Sequence, residues 1–173
     1  MRKTVIIALL PAVAVLMLGH NPVSADQTTS ATPKTEQATV LRIIDGDTLS
    51  VRLRDRSIAT VRLVGVDTPE TKKPGTPVQC YGPEATKAAT RLAAGKTVTL
   101  EIDPVAGDKD RYGRLLRHVF IKKTSMAVQL IKDGFGRAYA YKNQRYSYRA
   151  IHEQAEDKAQ ASRKGLWLAC SQS

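Results

Sequence analysis

The chain has 173 residues, 42% of them hydrophobic, and a formal net charge of +11. This length allows one domain with a single modest core, and its one long apolar run is too short for a comfortable membrane span. The excess of basic residues favours a polyanionic partner, although a cationic protein that is merely soluble would have the same charge.

The first 25 residues have the three parts of a secretory signal peptide. Arg2 and Lys3 form a basic start, residues 5–18 are apolar, and residues 23–25 resemble a cleavage site. An uncleaved anchor is the alternative. Cleavage would leave 25 basic against 16 acidic residues, a net charge of +9. The mature protein would then be secreted, either extracellular or periplasmic, without stable membrane association.

Residues 26–37 are rich in Thr, Ser and Gln without periodicity, and they are predicted to be a disordered leader. Residues 38–173 are predicted to form the folded domain. Alternating apolar and polar residues predict five short strands in it, and Asp45-Gly46 is a hairpin signal between the first two. The predicted strands are residues 39–44, 48–53, 58–66, 96–102 and 115–121, and residues 134–141 could add a short ladder segment.

Three helices are predicted between and after these strands. The first begins at Pro83 and stops at Gly95, and the second is capped by Ser125 and stops at Gly134. The third covers residues 148–164, and its inward face is predicted to consist of Ile151, Ala155, Ala159 and Ser162. Five strands with a helix inserted after the third indicate an α+β fold with a curled antiparallel sheet.

Two aspartates are placed to hold a hard cation. Asp47 follows the hairpin turn where a strand begins, and Asp67 lies just past the end of the third strand. If those strands are neighbours, both carboxylates converge on one rim. Calcium takes six to eight oxygen ligands, and the absence of His and Cys from these stretches argues against zinc. Each aspartate could instead shape its own turn, which is the interpretation that we favour for Asp45.

A third carboxylate and two arginines complete a set that could cleave a phosphodiester. Glu70 could orient a water molecule or accept its proton, or it could be a surface or capping residue. Arg62 lies between two apolar strand residues and should point to the opposite face, while Arg114 follows a Tyr-Gly turn. Two guanidinium groups on one rim could grip a phosphate bidentately, and each could also be a solvated surface cation.

Five short stretches, in this order and spacing, resemble the staphylococcal nuclease family. They are residues 44–48 (IDGDT), 61–71 (VRLVGVDTPET), 81–85 (YGPEA), 110–114 (DRYGR) and 138–142 (AYAYK). The resemblance runs from about Ala38 to Trp167. It implies a five-stranded OB-fold β-barrel with three helices, and a Ca²⁺-dependent nuclease that hydrolyses DNA and RNA to 3′-phosphate products.

The resemblance also implies roles for individual residues. A metal-bound water would attack phosphorus with help from Glu70, and the two arginines would stabilise the five-coordinate phosphate. The implied Ca²⁺ ligands are Asp47, Asp67 and the Thr68 carbonyl; the implied catalytic residues are Arg62, Glu70 and Arg114; and the nucleotide contacts are Tyr112 and Tyr139, to which we add Tyr141 and Lys72. The founding member has further lysines in the loop after Lys72, where this chain has Gly75 and Thr76.

The only two cysteines are Cys80 and Cys170. An even pair in an exported protein indicates a disulfide, and two unpaired buried thiols are the alternative. In the chain-entropy model, such a bridge would stabilise the fold by roughly 4–5 kcal/mol. The founding nuclease of the family has no cysteines, so the bridge would be a departure from its pattern.

Two other functions are consistent with part of the sequence. A non-catalytic nucleic-acid-binding OB-fold module would explain the charge, but such modules lose the carboxylates or the arginines that this chain keeps. A cationic cell-wall-associated structural protein would explain charge and export but not the clustered acids. We therefore predict a monomeric secreted nuclease whose partners are its DNA and RNA substrates.

Overall fold

The computed structural model describes residues 33–72 and 75–170, in which short strands and helices alternate. The strands are β1 (Thr35–Asp45), β2 (Thr48–Arg52), β3 (Ile58–Leu63), β4 (Val66–Asp67), β5 (Thr97–Glu101), β6 (Leu115–Ile121), β7 (Thr124–Ser125) and β8 (Arg137–Ala138). The helices are α1 (Gly82–Ala93), α2 (Met126–Lys132), α3 (Arg149–Ala161) and α4 (Leu166–Ala169), with a 3₁₀ turn at Tyr141–Asn143. The predicted signal peptide, residues 1–25, lies outside the described residues.

Five of the strands close into a barrel. Antiparallel pairing runs through β3, β2, β1, β5 and β6, and a parallel pairing of β3 with β6 joins the two ends. The short β7 extends the sheet beyond β6, while β4 and β8 form a separate pair. The predicted α+β class with a five-stranded barrel is confirmed. Among the described residues, no helix combines the length and hydropathy needed to cross a bilayer.

The core lies inside the barrel and under α1 and α2. Strand residues that point inward are almost completely buried, as at Val40, Leu49 and Val61. Helix α1 presents a face of alanines to β1, because only small side chains allow a helix to approach a curved sheet closely. Ser125 caps α2 as predicted, and its hydroxyl accepts a hydrogen bond from the Val128 amide at 3.3 Å.

Strand β1 begins earlier than the sequence pattern predicts. Residues 35–37, which the composition assigns to the leader, pair with residues 99–101 of β5. The third predicted strand, in contrast, breaks into β3 and β4 at Gly65, which has φ +85°. A Cβ atom there would lie 2.2 Å from Nδ1 of His152, so the position requires glycine for space as well as conformation.

The predicted inward face of α3 is partly wrong. Ala155 and Ala159 are buried, but Ile151 is 52% exposed and Ser162 is exposed. The side chain that α3 buries instead is His152, whose Nδ1 lies 3.0 Å from the hydroxyl of Tyr146. A specific polar contact has therefore replaced the expected apolar one.

A second buried polar group lies next to this pair. Asp103 accepts hydrogen bonds from His118 Nε2 at 3.0 Å and from the backbone amides of Ser147, Ala106 and Val105 at 2.7–2.9 Å. Burial alone would raise the pKa of Asp103, but these hydrogen bonds outweigh it and lower the pKa. Burial lowers the pKa of His118 and brings the pKa of His152 down to about 4.

The predicted disulfide is present. Cys80 and Cys170 are bonded with their Cα atoms 5.9 Å apart, across a sequence separation of 90. The bridge joins the residue before the Tyr81 cap of α1 to the residue that ends α4. It therefore fastens the segment leading into α1 to the last described part of the chain.

We expect acid to destabilise the fold through His152. Its pKa is near 6.5 in an unfolded chain and about 4 here, so the unfolded state binds more protons between these values. Stability is therefore full above pH 6.5 and is lost as the pH falls towards 4, by about 3 kcal/mol from this one group. The lowered pKa of Asp103 extends the loss to still lower pH.

The measurement is urea unfolding of the wild type and of His152→Gln at pH 7 and pH 4.5. The wild type should lose more free energy of unfolding between these two conditions than the variant. NMR titration of the His152 ring gives the pKa directly, and a value near 6.5 in the folded protein would contradict the prediction.

Candidate active site

The β1–β2 hairpin and the end of β3 form the rim on which the acidic residues lie. Strands β2 and β3 are neighbours, with Thr48 opposite Arg62 in the antiparallel register. The Leu63 amide donates to the Asp47 carbonyl at 2.9 Å, which extends this pairing into the hairpin turn. Asp67 follows directly on the turn after β3, so the topology brings the two aspartates to one edge.

Arg62 lies between these two aspartates. Its Nη2 is 3.2 Å from Asp47 Oδ2 and 2.7 Å from Asp67 Oδ1. Its Nη1 donates to the carbonyls of Leu63 and Val66 at 2.8 and 2.6 Å. With a side chain only 12% exposed, Arg62 is a fixed cation on which both carboxylates converge.

Asp47 is held by its neighbours with little freedom to move. Its Oδ2 accepts from the Thr68 amide at 2.9 Å and the Thr68 hydroxyl at 3.1 Å, and its Oδ1 accepts from the Thr48 hydroxyl at 2.9 Å. A Cβ atom on Gly46 would lie 2.6 Å from the Thr68 hydroxyl oxygen. Glycine at this position therefore allows Thr68 to reach Asp47, a reason that the hairpin signal alone does not reveal.

Asp45 has a wider role than shaping its turn. Its carboxylate accepts from the Gly46 amide at 2.9 Å, as a turn residue would. It also accepts from the amide and hydroxyl of Thr71 at 3.1 and 3.0 Å and from the Thr86 hydroxyl at 3.0 Å. Asp45 thus connects the hairpin, the segment after Glu70 and helix α1.

Glu70 lies in this group of carboxylates. Burial raises its pKa, and a hydrogen bond with Asp45 together with the charges of Asp45, Asp47 and Asp67 raises it further. Burial also raises the pKa of Asp67; Arg62 opposes that shift, and Asp47 and Asp45 add to it. Arg62 alone does not neutralise the carboxylates at this rim, so a further cation or a proton would stabilise them.

Comparison with known proteins identifies the family of this chain. A family model described as Staphylococcal nuclease homologue matches residues 60–169. The chain belongs to the staphylococcal nuclease family.

Curated relatives agree with that assignment. A thermonuclease of Staphylococcus hyicus is 44% identical over 128 residues, 74% of this chain and 73% of the relative. A thermonuclease of Staphylococcus intermedius is 36% identical over 170 residues, 96% of this chain and 99% of the relative. Endonuclease YncB of Bacillus subtilis is 44% identical over 110 residues, 62% of this chain and 51% of the relative. The predicted family is confirmed, and the chain is a nuclease.

The donor set of this nuclease fits a hard divalent cation. Asp47 and Asp67 both lie within hydrogen-bond range of one nitrogen of Arg62, so a single ion could reach both carboxylates. In the described part of the chain, no three His, Cys, Asp or Glu side chains form a ready metal-binding group. The Thr68 carbonyl and water would therefore have to supply the other ligands, an all-oxygen set that suits Ca²⁺ or Mg²⁺.

Arg114 is fixed from the other side of the rim. Its Nε donates to Asp110 Oδ2 at 2.6 Å, and its amide donates to Asp110 Oδ1 at 3.0 Å. It directly precedes Leu115, the register partner of Val61 in the parallel β3–β6 pairing. That register places Arg114 at the end of β6 nearest to Arg62, although no contact joins the two side chains within the described residues.

The three tyrosines predicted to contact nucleotide are all exposed. Arg111 and Arg114 place their guanidinium carbons 4.8 and 5.4 Å from the ring centre of Tyr112, which is 67% exposed. Tyr139 and Tyr141 are also exposed, and the Tyr139 amide donates to the Gly65 carbonyl at 3.1 Å. Lys72 is exposed and has no hydrogen bond or ion pair with the residues that the structure describes.

Gln79 is a residue of this site that the sequence pattern does not reveal. Its side-chain carbonyl accepts a hydrogen bond from the backbone amide of Glu70 at 2.9 Å, and its backbone amide donates to the backbone carbonyl of Glu70 at 2.9 Å. The next residue, Cys80, is bonded to Cys170. Gln79 therefore clamps both the amide and the carbonyl of the Glu70 backbone, and the residue after it is held by a covalent bridge.

We expect Gln79→Ala to lower kcat by about tenfold while the fold is retained, because only the support of Glu70 is removed. Gln79→Glu keeps an acceptor oxygen for the Glu70 amide and should restore part of kcat. Turnover of single-stranded DNA and the melting temperature are measured for both variants, with Gln160→Ala on the exposed face of α3 as the control. Unchanged kcat in Gln79→Ala would show that the clamp does not position Glu70.

Proposed function

We propose that this nuclease is a secreted, monomeric, Ca²⁺-dependent enzyme that hydrolyses DNA and RNA to 3′-phosphate products. The observation that carries the proposal is the convergence of Asp47 and Asp67 on Arg62, with Glu70 beside them. A net charge of +11 attracts polyanions to the chain in general. These acidic residues are a local cluster of the opposite charge. Secretion is supported by the signal-like first 25 residues.

In this proposal Asp47, Asp67 and the carbonyl of Thr68 hold the calcium ion. When bound, the ion would supply positive charge to the developing negative charge on phosphate and increase the acidity of a water molecule. Thr68 keeps Asp47 in place through its amide and hydroxyl, so its carbonyl is presented by a segment that is already fixed.

Arg62 and Arg114 act on the phosphate. Nη1 of Arg62 stays anchored on two backbone carbonyls, and its Nη2 donates to the two carboxylates. A cation bound by these carboxylates would leave Nη2, in its present place, to donate to a phosphate oxygen. Nε of Arg114 donates to Asp110, which leaves the two terminal nitrogens of its guanidinium for a second phosphate oxygen. Two preoriented guanidinium groups would stabilise the charge that grows on the five-coordinate phosphorus.

Glu70 assists the attacking water. Its carboxylate interacts with those of Asp47 and Asp67, so it lies where it can accept a proton from the attacking water. The water oxygen bonds to phosphorus as Glu70 takes its proton, the bond from phosphorus to O5′ breaks, and the departing O5′ takes a proton from solvent. Tyr112, Tyr139 and Tyr141 would contact the nucleotide through their exposed rings, without reading sequence, and Lys72 would add attraction to the backbone.

The proposal is tested by assaying the mature protein on single-stranded DNA, duplex DNA and RNA with Ca²⁺, Mg²⁺ or a chelator. Hydrolysis should stop in chelator and return best with Ca²⁺, because Mg²⁺ demands a smaller and stricter octahedron. Full activity in chelator, or zinc as the best restorer, would refute the metal assignment. Binding without hydrolysis under every condition would indicate the non-catalytic nucleic-acid-binding module instead.

Arg114→Lys keeps the charge but loses the planar fork. We expect turnover to fall by roughly 10³-fold or more, as for other arginines that stabilise a transferred phosphate. Arg111→Lys is the matched control, since it stacks on the same Tyr112 ring but is absent from the proposed machinery. Equal turnover for the two variants would remove Arg114 from the mechanism.

A further inference from the structure

A cavity of about 210 Å³ opens beside Asp67. Its lining includes Asp67, Thr68, Gln79, Leu166 and Arg137, and the Cys80–Cys170 disulfide forms one wall. Neither Arg114 nor any of the three tyrosines proposed to bind nucleotide contributes to it. The recess is therefore a surface beside Asp67 that lies outside the proposed tyrosine contacts.

Arg137 is the positively charged residue in the lining of this recess, and the pairing of β4 with β8 determines its position. It lies opposite Asp67 in the antiparallel register of β4 and β8. Its guanidinium carbon is 4.1 Å from the ring centre of Trp167, which orients the planar group by stacking.

Stacking on Trp167 does not use the N–H donors of Arg137. Within residues 33–72 and 75–170 its guanidinium makes no hydrogen bond and no ion pair. The nearby carboxylate of Glu156, which experiences the charge of Arg137, accepts instead from the Ala138 amide at 3.2 Å. An oriented guanidinium with unused donors at the wall of an open recess suits a phosphate group.

The direction of β8 connects the recess with the tyrosines. Pairing with the β4 segment continues from Arg137 opposite Asp67 to Tyr139, whose amide donates to Gly65. Residues 137 and 139 lie on the same side of an extended strand and are about 7 Å apart. A nucleic-acid chain that runs along this strand would therefore pass Tyr139 and then reach Arg137 beside Asp67.

We propose that this recess is a second nucleotide subsite. It receives the nucleotide next in the phosphodiester chain to the one that Tyr139 contacts, and Arg137 binds that nucleotide's phosphate. The inference rests on the proposed nuclease function and adds to it a site that extends the substrate contact beyond the tyrosines.

The first test measures binding of single-stranded oligonucleotides in chelator over a range of salt concentrations. Arg137→Gln should weaken binding about tenfold and reduce the slope of log K against log salt by about 0.7, the contribution of one phosphate contact. Arg54→Gln is the control, an exposed arginine in the turn at the opposite end of the β2–β3 hairpin. Unchanged slope and affinity in Arg137→Gln, or equal effects of the two substitutions, would overturn the subsite.

The second test uses cleavage of oligonucleotides extended by one nucleotide at a time, on the 5′ or the 3′ side of a single cleavable bond. Arg137→Gln should raise KM about tenfold with kcat nearly unchanged, for one of the two series only. Arg137→Lys keeps the charge and should recover the salt slope. Loss of kcat in both series would assign Arg137 a structural role and reject the subsite.

The single tryptophan of the chain gives a direct readout. Occupation of the recess should change Trp167 fluorescence in the wild type when the extended oligonucleotides bind, but not when the shortest ones bind. A wild type that neither binds nor cleaves nucleic acid would refute the proposed function itself. If the wild type cleaves nucleic acid but its Trp167 fluorescence and KM do not change with oligonucleotide length, only the subsite is refuted.

Discussion

The site depends on the guanidinium of Arg62, whose side chain is only 12% exposed. Arg62 holds the end of β3 and the start of β4 together through two backbone carbonyls, and it is the one arginine that contacts both aspartates among the described residues. Without it, several carboxylates would face one another across a few ångströms in a partly desolvated region, at a large electrostatic cost. The rim can therefore be acidic only because the barrel places this cation beneath it.

Hydrogen bonds, rather than apolar packing, fix the other members of the site. Thr68 holds Asp47, Asp45 holds the segment that follows Glu70, and Gln79 clamps Glu70 itself. Each of these groups would be costly to leave unpaired, so the network has few alternative arrangements. This is the preorganisation that transition-state stabilisation requires.

Features set by local pattern were predictable from the sequence, and features set by distant contacts were not. Asp47 and Asp67 follow strand ends in consecutive segments, so their convergence follows from the hairpin. The inward face of α3 was misassigned because one residue along a helix turns the face by about 100°, and the contact of His152 with Tyr146 depends on tertiary packing. Gln79 and Arg137 have no local signal, since their partners Glu70 and Asp67 lie elsewhere in the chain.

The clamp at Glu70 has a consequence for how this chain can vary. The segment between Thr71 and Gln79 is fastened at one end by Asp45 and at the other by Gln79 and the disulfide. Doubling the length of a loop whose ends are already joined costs only about 0.6 kcal/mol. Insertions or deletions between these two fastenings should therefore leave Glu70 in place, so that this stretch can be lengthened, shortened or replaced while the acidic rim keeps its geometry.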